Sequence, residues 1–308
     1  MRRFLLVSST ALIASCATAG PKEADVLATA PLAVTSSELA EADPALFVLA
    51  DDDTTIYLVG TIHVLDGKQS WFDDGVKAAY DVSDEVVIEV IPPDPATTQA
   101  VLVEKGLDRT GVPLRDDLSD DGAALLVDVL ADAGLPANAF DQMDPWFAGI
   151  NLAGLLFGKM GLNPETGAEA VLLRAAAADG KSVSGLEEFE YQIDLFDTLS
   201  PEAQLAFLET GLKQYAGAEN FVSRMVAAWA DGDMTALADV LNEGLDGDEA
   251  LRQRLLIDRN ANWAEWMENR LEEPGTVFLA VGAGHLGGEG SVQDQLATRG
   301  LTVVRIDY

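Results

Sequence analysis

The chain contains two histidines, His63 and His285, and each stands three residues after a glycine, in Gly60-Thr61-Ile62-His63 and Gly282-Ala283-Gly284-His285. Each motif follows directly on an apolar, β-prone run, at 55–59 and at 276–281. A glycine at a strand end allows a sharp turn and leaves room for a ligand. The side chain three residues on then lies beyond the strand's carboxyl end, the edge at which open α/β sheets bind ligands. Two further strand-like runs end in acid at that level, at Glu89 and Glu187. Two imidazoles and two carboxylates at one edge form an N/O donor set without sulfur, suited to Mn²⁺, Co²⁺, Fe²⁺ or Zn²⁺. Such an ion activates water and polarises a carbonyl, with one glutamate as ligand and the other as general base. The expectation is a metal site of His63, Glu89 and His285 with Glu187 activating water. On sequence alone the two glutamates are interchangeable between these roles.

Other catalytic signatures are absent from the chain: there is no H-E-x-x-H, no G-x-S-x-G and no Walker A loop. Gly282-Ala283-Gly284-His285-Leu286-Gly287 has the form of a dinucleotide fingerprint, with Asp307 further on. It occupies the last strand–helix–strand of the chain, so no second half follows to complete a nucleotide crevice.

The elements that must hold these residues can be read from the pattern. Residues 46–50 and 55–59 are β-prone runs around Asp51-Asp52-Asp53-Thr54, which predicts a hairpin. A helix is expected around 72–79, then a buried strand at 85–90 ended by Pro92, Pro93 and Pro95. Helices follow at 119–133, with Ser119 as N-cap, at 145–160, apolar nearly all round and so buried, and at 167–179. A short strand at 181–186 leads into Glu187, and helix then runs from 188 to 271 with breaks near Ser200-Pro201, Gly217, Gly232 and Gly247. A strand at 276–281, a helix at 291–298 and a strand at 301–306 complete the chain. The fold class is α/β: a central mixed sheet with strand-end G-x-x-H motifs and a large helical insert between the strands.

Composition narrows the partners. The formal net charge is −33 and the pI about 4.1, so a phosphate backbone is repelled and nucleic acid is not an expected partner. The N-terminus reads as a targeting segment. Arg2 and Arg3 precede an apolar stretch, 4–14, too short to span a bilayer. Ile13-Ala14-Ser15-Cys16 then resembles a bacterial lipobox, and Cys16 is the single cysteine. Residues 1–15 are expected to be a lipoprotein signal peptide, 16–43 a flexible tether, and 44–308 the folded domain. Lipid on Cys16 would anchor the chain in the cell envelope, and Ala17, rather than Asp, implies the outer membrane facing the periplasm. The competing reading is cleavage at Ala17-Thr18-Ala19, releasing a soluble exported protein.

The body also resembles a known family, TraB/GumN, related to the Tiki proteases and the wider erythromycin-esterase-like group. The likeness is carried by Val59-Gly60-Thr61-Ile62-His63, the strand ending at Glu89, and Val183-Ser184-Gly185-Leu186-Glu187 with Gln192. It continues in Asp258-Arg259-Asn260 with Trp263 and in Val281-Gly282-Ala283-Gly284-His285-Leu286, so it spans residues 44–308. The resemblance implies that His63 and His285 define the site, with Glu89 and Glu187 as partners and Arg259 and Asn260 beside them. Arg259 would clamp a carboxylate or stabilise an oxyanion. In the animal Tiki branch the implied activity is metal-dependent peptide cleavage. The bacterial branches are associated with pheromone shutdown and with genes near exopolysaccharide synthesis. One departure is Gly167-Ala168-Glu169, where members often carry Asp. The expected function is thus a metal-dependent, peptide-cleaving hydrolase. The alternatives are a non-catalytic envelope lipoprotein that binds a peptide or polysaccharide, and a structural protein of the envelope.

Overall fold

Val86, Val87 and Ile88 are each at most 1% exposed, which a strand achieves only with both of its faces covered. The computed structural model describes residues 39–215, 217–242 and 249–308. The expected signal segment, Cys16 and the tether as far as residue 38 lie outside the described residues, as does the helix break at Gly247. The strands are β1 (Ala40–Glu41), β2 (Leu46–Ala50), β3 (Thr54–Thr61), β4 (Gln69–Ser70), β5 (Glu85–Val90), β6 (Ser182–Glu187), β7 (Gly275–Gly282) and β8 (Val304–Ile306). β1 and β4 form a small parallel pair, so chain that already pairs begins at Ala40, and Ala42 after it is buried.

The other six strands make one mixed sheet in the order β6-β5-β7-β3-β2-β8. β2 and β3 are the hairpin, turned by the Asp51 side chain, which accepts from the backbone N–H of Asp53 and Thr54. β3, β7, β5 and β6 are mutually parallel. Their carboxyl ends therefore share one edge, with Thr61 opposite Gly282 and Val90 opposite Glu187. This topology brings residues from positions 61, 89, 187 and 282 of the chain to one place.

The helices are α1 (Asp74–Val82), α2 (Pro95–Gly106), α3 (Leu114–Asp117), α4 (Asp120–Asp132), α5 (Pro145–Lys159), α6 (Ala168–Asp179) and α7 (Phe189–Asp197). They continue as α8 (Pro201–Tyr215), α9 (Ala218–Ala230), α10 (Met234–Asn242), α11 (Glu249–Arg252), α12 (Asp258–Arg270) and α13 (Val292–Thr298). The strand alternation sorts the core into two faces. Val59, Val86, Ile88, Phe278 and Ala280 pack with Tyr80 of α1, Leu172 of α6 and Trp229 of α9. Ile56, Leu58, Val87, Leu279 and Val281 pack with Trp263 and Met267 of α12 and Leu296 of α13. A third cluster, away from the sheet, joins Leu126 and Leu130 of α4, Leu152 of α5 and Leu208 of α8. Each such fully buried side chain contributes roughly 1.5–3 kcal/mol relative to exposure.

Three elements differ from expectation. Pro95 does not only end β5; it opens α2, because a proline costs nothing at the first helical position and Asp94 caps the N–H groups of Ala96 and Thr97. α5 is buried along one stripe, Trp146, Ala148, Gly149 and Leu152, while Gly158 and Lys159 at its end are exposed. It packs against α8 and not inside a closed bundle, so apolar composition overstated its burial. The last strand is shorter than 301–306 because only Val304–Ile306 finds β2 to pair with. Among the described residues, no helix is long and apolar enough to cross a membrane.

Candidate functional site

β5 presents Glu85, Val87 and Glu89 to one face, the face covered by α12. α12 answers with an arginine near each end: Arg270 pairs with Glu85 at 3.0 Å and Arg259 with Glu89 at 2.7 Å. Eleven residues of helix span about 16 Å and four residues of strand about 13 Å. A helix laid along β5 thus meets both carboxylates in register.

Arg259 is the hub of the buried end and is 8% exposed. Its Nε donates to Glu187 Oε1 at 2.9 Å, and its Nη2 donates to Glu187 Oε2 at 2.8 Å and to Glu89 Oε2. Its Nη1 reaches His285 Nε2 at 3.0 Å and the Leu255 carbonyl at 3.3 Å. The guanidinium lies 4.7 Å from the centre of the Trp263 ring, whose indole N–H donates to Glu187. Gln192 donates to both Glu187 and Glu89. Glu89 Oε1 accepts the backbone N–H of Gly282. A Cβ at Gly282 would stand 2.8 Å from that carboxylate oxygen, so this glycine is required by the close approach.

The tautomer of His285 follows from its partners. Asn260 Nδ2 donates to the Gly290 carbonyl, which turns Asn260 Oδ1 toward His285 Nδ1 at 2.6 Å. His285 Nδ1 therefore carries the proton, and Nε2 offers its lone pair to Arg259, which has donors only. Burial pushes His285 down to about 3, with the nearby positive charge of Arg259 acting in the same direction against Glu89, so the ring is neutral. Burial acts against ionisation of Glu89, but His285, Arg259 and His63 with the Gly282 N–H outweigh it and hold the carboxyl at about 2. Since His285 is itself neutral, Arg259 is the standing buried charge that does this at neutral pH.

His63 has the opposite setting. It lies two residues beyond β3, and its side chain is 69% exposed. Its Nδ1 donates to Glu169 Oε1 at 2.8 Å, and Glu169 also accepts from the Thr61 hydroxyl. Glu169 sits in the first turn of α6, where the helix N-terminus favours an anion. The loop is pinned there: Ala168 donates its N–H to the Ile62 carbonyl, and a Cβ at Gly167 would fall 2.0 Å from the His63 carbonyl oxygen. Trp229 also holds the strand end, through its indole N–H to the Gly60 carbonyl. The Glu169 carboxylate raises the His63 ring to about 9, over the opposing effect of desolvation. Burial acts to raise Glu169, and His63 and Thr61 bring it below the ordinary carboxylate range. Glu89 and Arg259 also act on His63 electrostatically, so it lies within electrostatic range of the buried cluster.

The structure thus brings Glu89, Glu187, Arg259, Asn260 and His285 into one hydrogen-bonded cluster, while the exposed His63 is bonded to Glu169. Arg259 and Asn260, which the resemblance sets beside the site, both have their polar groups engaged within the protein. Every N–H of Arg259 has a partner within the protein. Asn260 is 2% exposed with both ends of its amide used, so it positions His285 and does not face a ligand. The expected metal donors do not fit such an ion in this arrangement. Arg259 fills the space between Glu89, Glu187 and His285, while His63 is bound to Glu169. Among the described residues, no group of three His, Cys, Asp or Glu side chains is arranged to hold a metal.

Glu169 enters the sequence reading only as a departure from the family's usual Asp, and its bond to His63 was not foreseen there. Its signal was present in Gly167-Ala168-Glu169, an acid in the first turn of a helix after a glycine, but nothing in the sequence linked that turn to His63.

Comparison with known proteins completes the site's setting. Residues 45–305 match the sequence profile of the TraB/PrgY/gumN family. The chain is similar to "Uncharacterized protein YbaP" of Escherichia coli (strain K12), 24% identical over 253 residues, which is 82% of this chain and 92% of that protein. It is also similar to the protein of the same name from Shigella flexneri, 27% identical over 183 residues, covering 59% of this chain and 67% of that protein. No solved structure matches.

Proposed function

The chain belongs to the TraB/PrgY/gumN family, and from that premise we propose that it is a hydrolase of the cell envelope that cleaves peptides with His63 as its proton-transfer residue. The observation that carries the reading is the contrast between the two motif histidines. His63 has a 69% exposed side chain, is oriented through Nδ1 by Glu169, and is raised to about 9, so at neutral pH it is protonated and can act as an acid. His285 is buried, neutral and locked by Asn260 and Arg259. Environments that push two titratable groups apart mark acid–base assignments. In amide hydrolysis, water adds to the carbonyl and His63 Nε2–H protonates the departing nitrogen. The proton that the water gives up then restores the imidazolium. The metal expected from the sequence has no step in this scheme, because Arg259 occupies its donors.

Peptide as the substrate rests on the likeness to the Tiki branch, and the envelope location on the lipobox at Cys16. Loss of fatty-acid labelling in Cys16→Ser, with the chain released from the outer membrane, is the check on location. The activity is tested by exposing a peptide library to the full chain and to His63→Ala. Cleavage by the wild type, lost in a variant with unchanged circular dichroism, supports the proposal; full activity in His63→Ala would sink it. One observation favours the second reading, an envelope lipoprotein that binds a peptide or polysaccharide without turnover. Arg259 and Asn260 spend all their polar groups internally, as a rigid binding floor would. Ligand capture with no cleavage would select that reading.

A further inference from the structure

We propose that Arg259 is the built-in cation of this site: its guanidinium takes the position of a divalent metal among Glu89, Glu187 and His285 and must leave before a metal can bind. The donor types, two carboxylates and an imidazole, are ones that bind divalent metals. Glu89 Oε2 and Glu187 Oε2 both bond one nitrogen, Nη2, at 2.7 and 2.8 Å, so the two oxygens converge on a single point. His285 turns toward the same group, at 3.0 Å from Nη1, with its Nε2 lone pair, the atom a neutral imidazole gives to a metal. Its other ring nitrogen is held by Asn260, the kind of support that orients a ligating histidine. What stands among these donors is a protein cation.

Several contacts keep it there. The Trp263 ring lies under the guanidinium. Gln192 and Trp263 also donate to Glu187 and hold it in place. The five-residue π segment Gln253–Ile257, which runs into α12, places the Leu255 carbonyl against Nη1. π turns inside helices recur at functional sites, and this one fixes the arginine's approach. A tethered guanidinium supplies positive charge that neither chelator nor competing ion removes.

The inference concerns the site described above and not the hydrolysis proposed for it, so its test needs no substrate. Full-chain protein purified without chelator is dialysed against Mn²⁺, Co²⁺ or Zn²⁺, and bound metal is counted by mass spectrometry. Co²⁺ absorption reports the donor set. The acidic surface holds ions loosely, so the number that counts is the metal lost on adding His285→Ala. The wild type is expected to hold no ion that depends on His285. Arg259→Ala is expected to gain about one equivalent, lost again in Arg259→Ala with His285→Ala. If Arg259→Ala folds only when Co²⁺ or Zn²⁺ is present, the metal is replacing the guanidinium and the proposal stands. A wild type carrying near-stoichiometric, His285-dependent metal would overturn it. So would a folded Arg259→Ala that takes up none, or an unfolded one that no metal rescues.

Discussion

Replacing Arg259 with methionine removes the positive charge and keeps most of the side chain's volume. The guanidinium is enclosed by Glu89 and Glu187, whose side chains are 7% and 6% exposed. Without it, two carboxylates are left buried with only neutral donors: the Gly282 N–H, Gln192 and Trp263. Removing one member of a buried ion pair costs about 3–5 kcal/mol, because the other charge is left uncompensated. Two stranded carboxylates raise that cost and their remaining donors reduce it, so a loss of about 4 kcal/mol is expected at neutral pH. At roughly 2–4 °C per kcal/mol for a body of this size, Tm falls by about 10 °C. The pH dependence gives a second, independent reading. Glu89 is held at about 2, below its ordinary 4.5. A depressed carboxyl contributes stability that is complete above the ordinary value and is lost as pH falls through the depressed one. Arg259→Met loses the share of this contribution that Arg259 supplies. The gap between the two proteins should therefore close as pH falls from 4.5 toward 2. Urea unfolding followed by circular dichroism at a series of pH values measures both effects. A loss below about 1 kcal/mol at neutral pH, the size of an ordinary substitution, or a gap that stays constant in acid, would refute the buried-charge argument.

Glu169→Gln should bring the His63 midpoint down from about 9 toward 6.5, read from the ring resonances by NMR. The sign fixes the window: a raised histidine contributes stability present below 6.5 and lost as pH rises through about 9, and this window should vanish in the variant. Because the ring is 69% exposed, solvent screens the pair, so the shift and the stability linked to it should shrink together in the variant. An unmoved midpoint would assign the shift to another group. Gly282→Ala should cost about 1–3 kcal/mol, since its Cβ would fall 2.8 Å from Glu89 Oε1. Gly158→Ala in α5, where a Cβ meets nothing within 4 Å, should be neutral or stabilising by helix propensity, and equal losses in urea for the two would remove the close-approach argument.

Much of the sheet was legible because its strands are apolar, short and bounded by turn residues. Residues 46–50 and 85–90 were read to the residue for that reason. The placing of His63, Glu89, Glu187 and His285 at one edge followed from each lying at or just beyond a strand's end, once the strands are parallel. What sequence could not supply was the third dimension of the contacts. Nothing local reports that the first turn of α6 meets the loop after β3, so the Glu169–His63 pair was invisible. Nor does an arginine on a helix announce whether it faces a ligand or fills a hole between two carboxylates. The register of α12 on β5, fixed by Glu85 with Arg270 as well as Glu89 with Arg259, decides that question. α2 was missed although Asp94 and Pro95 carry a helix-start signal, because three prolines close together read more readily as a terminator.

The measurement closest to the central claim is the titration of the two imidazole rings in the wild-type chain by ¹⁵N NMR. With two histidines in the sequence, the variants His63→Ala and His285→Ala assign them. One ring, His63, should titrate near 9. The other should remain neutral with its proton on Nδ1 through neutral and mildly acid pH, as a midpoint of about 3 requires. Two rings titrating together near 6.5 would contradict the opposed settings on which the proposed chemistry depends.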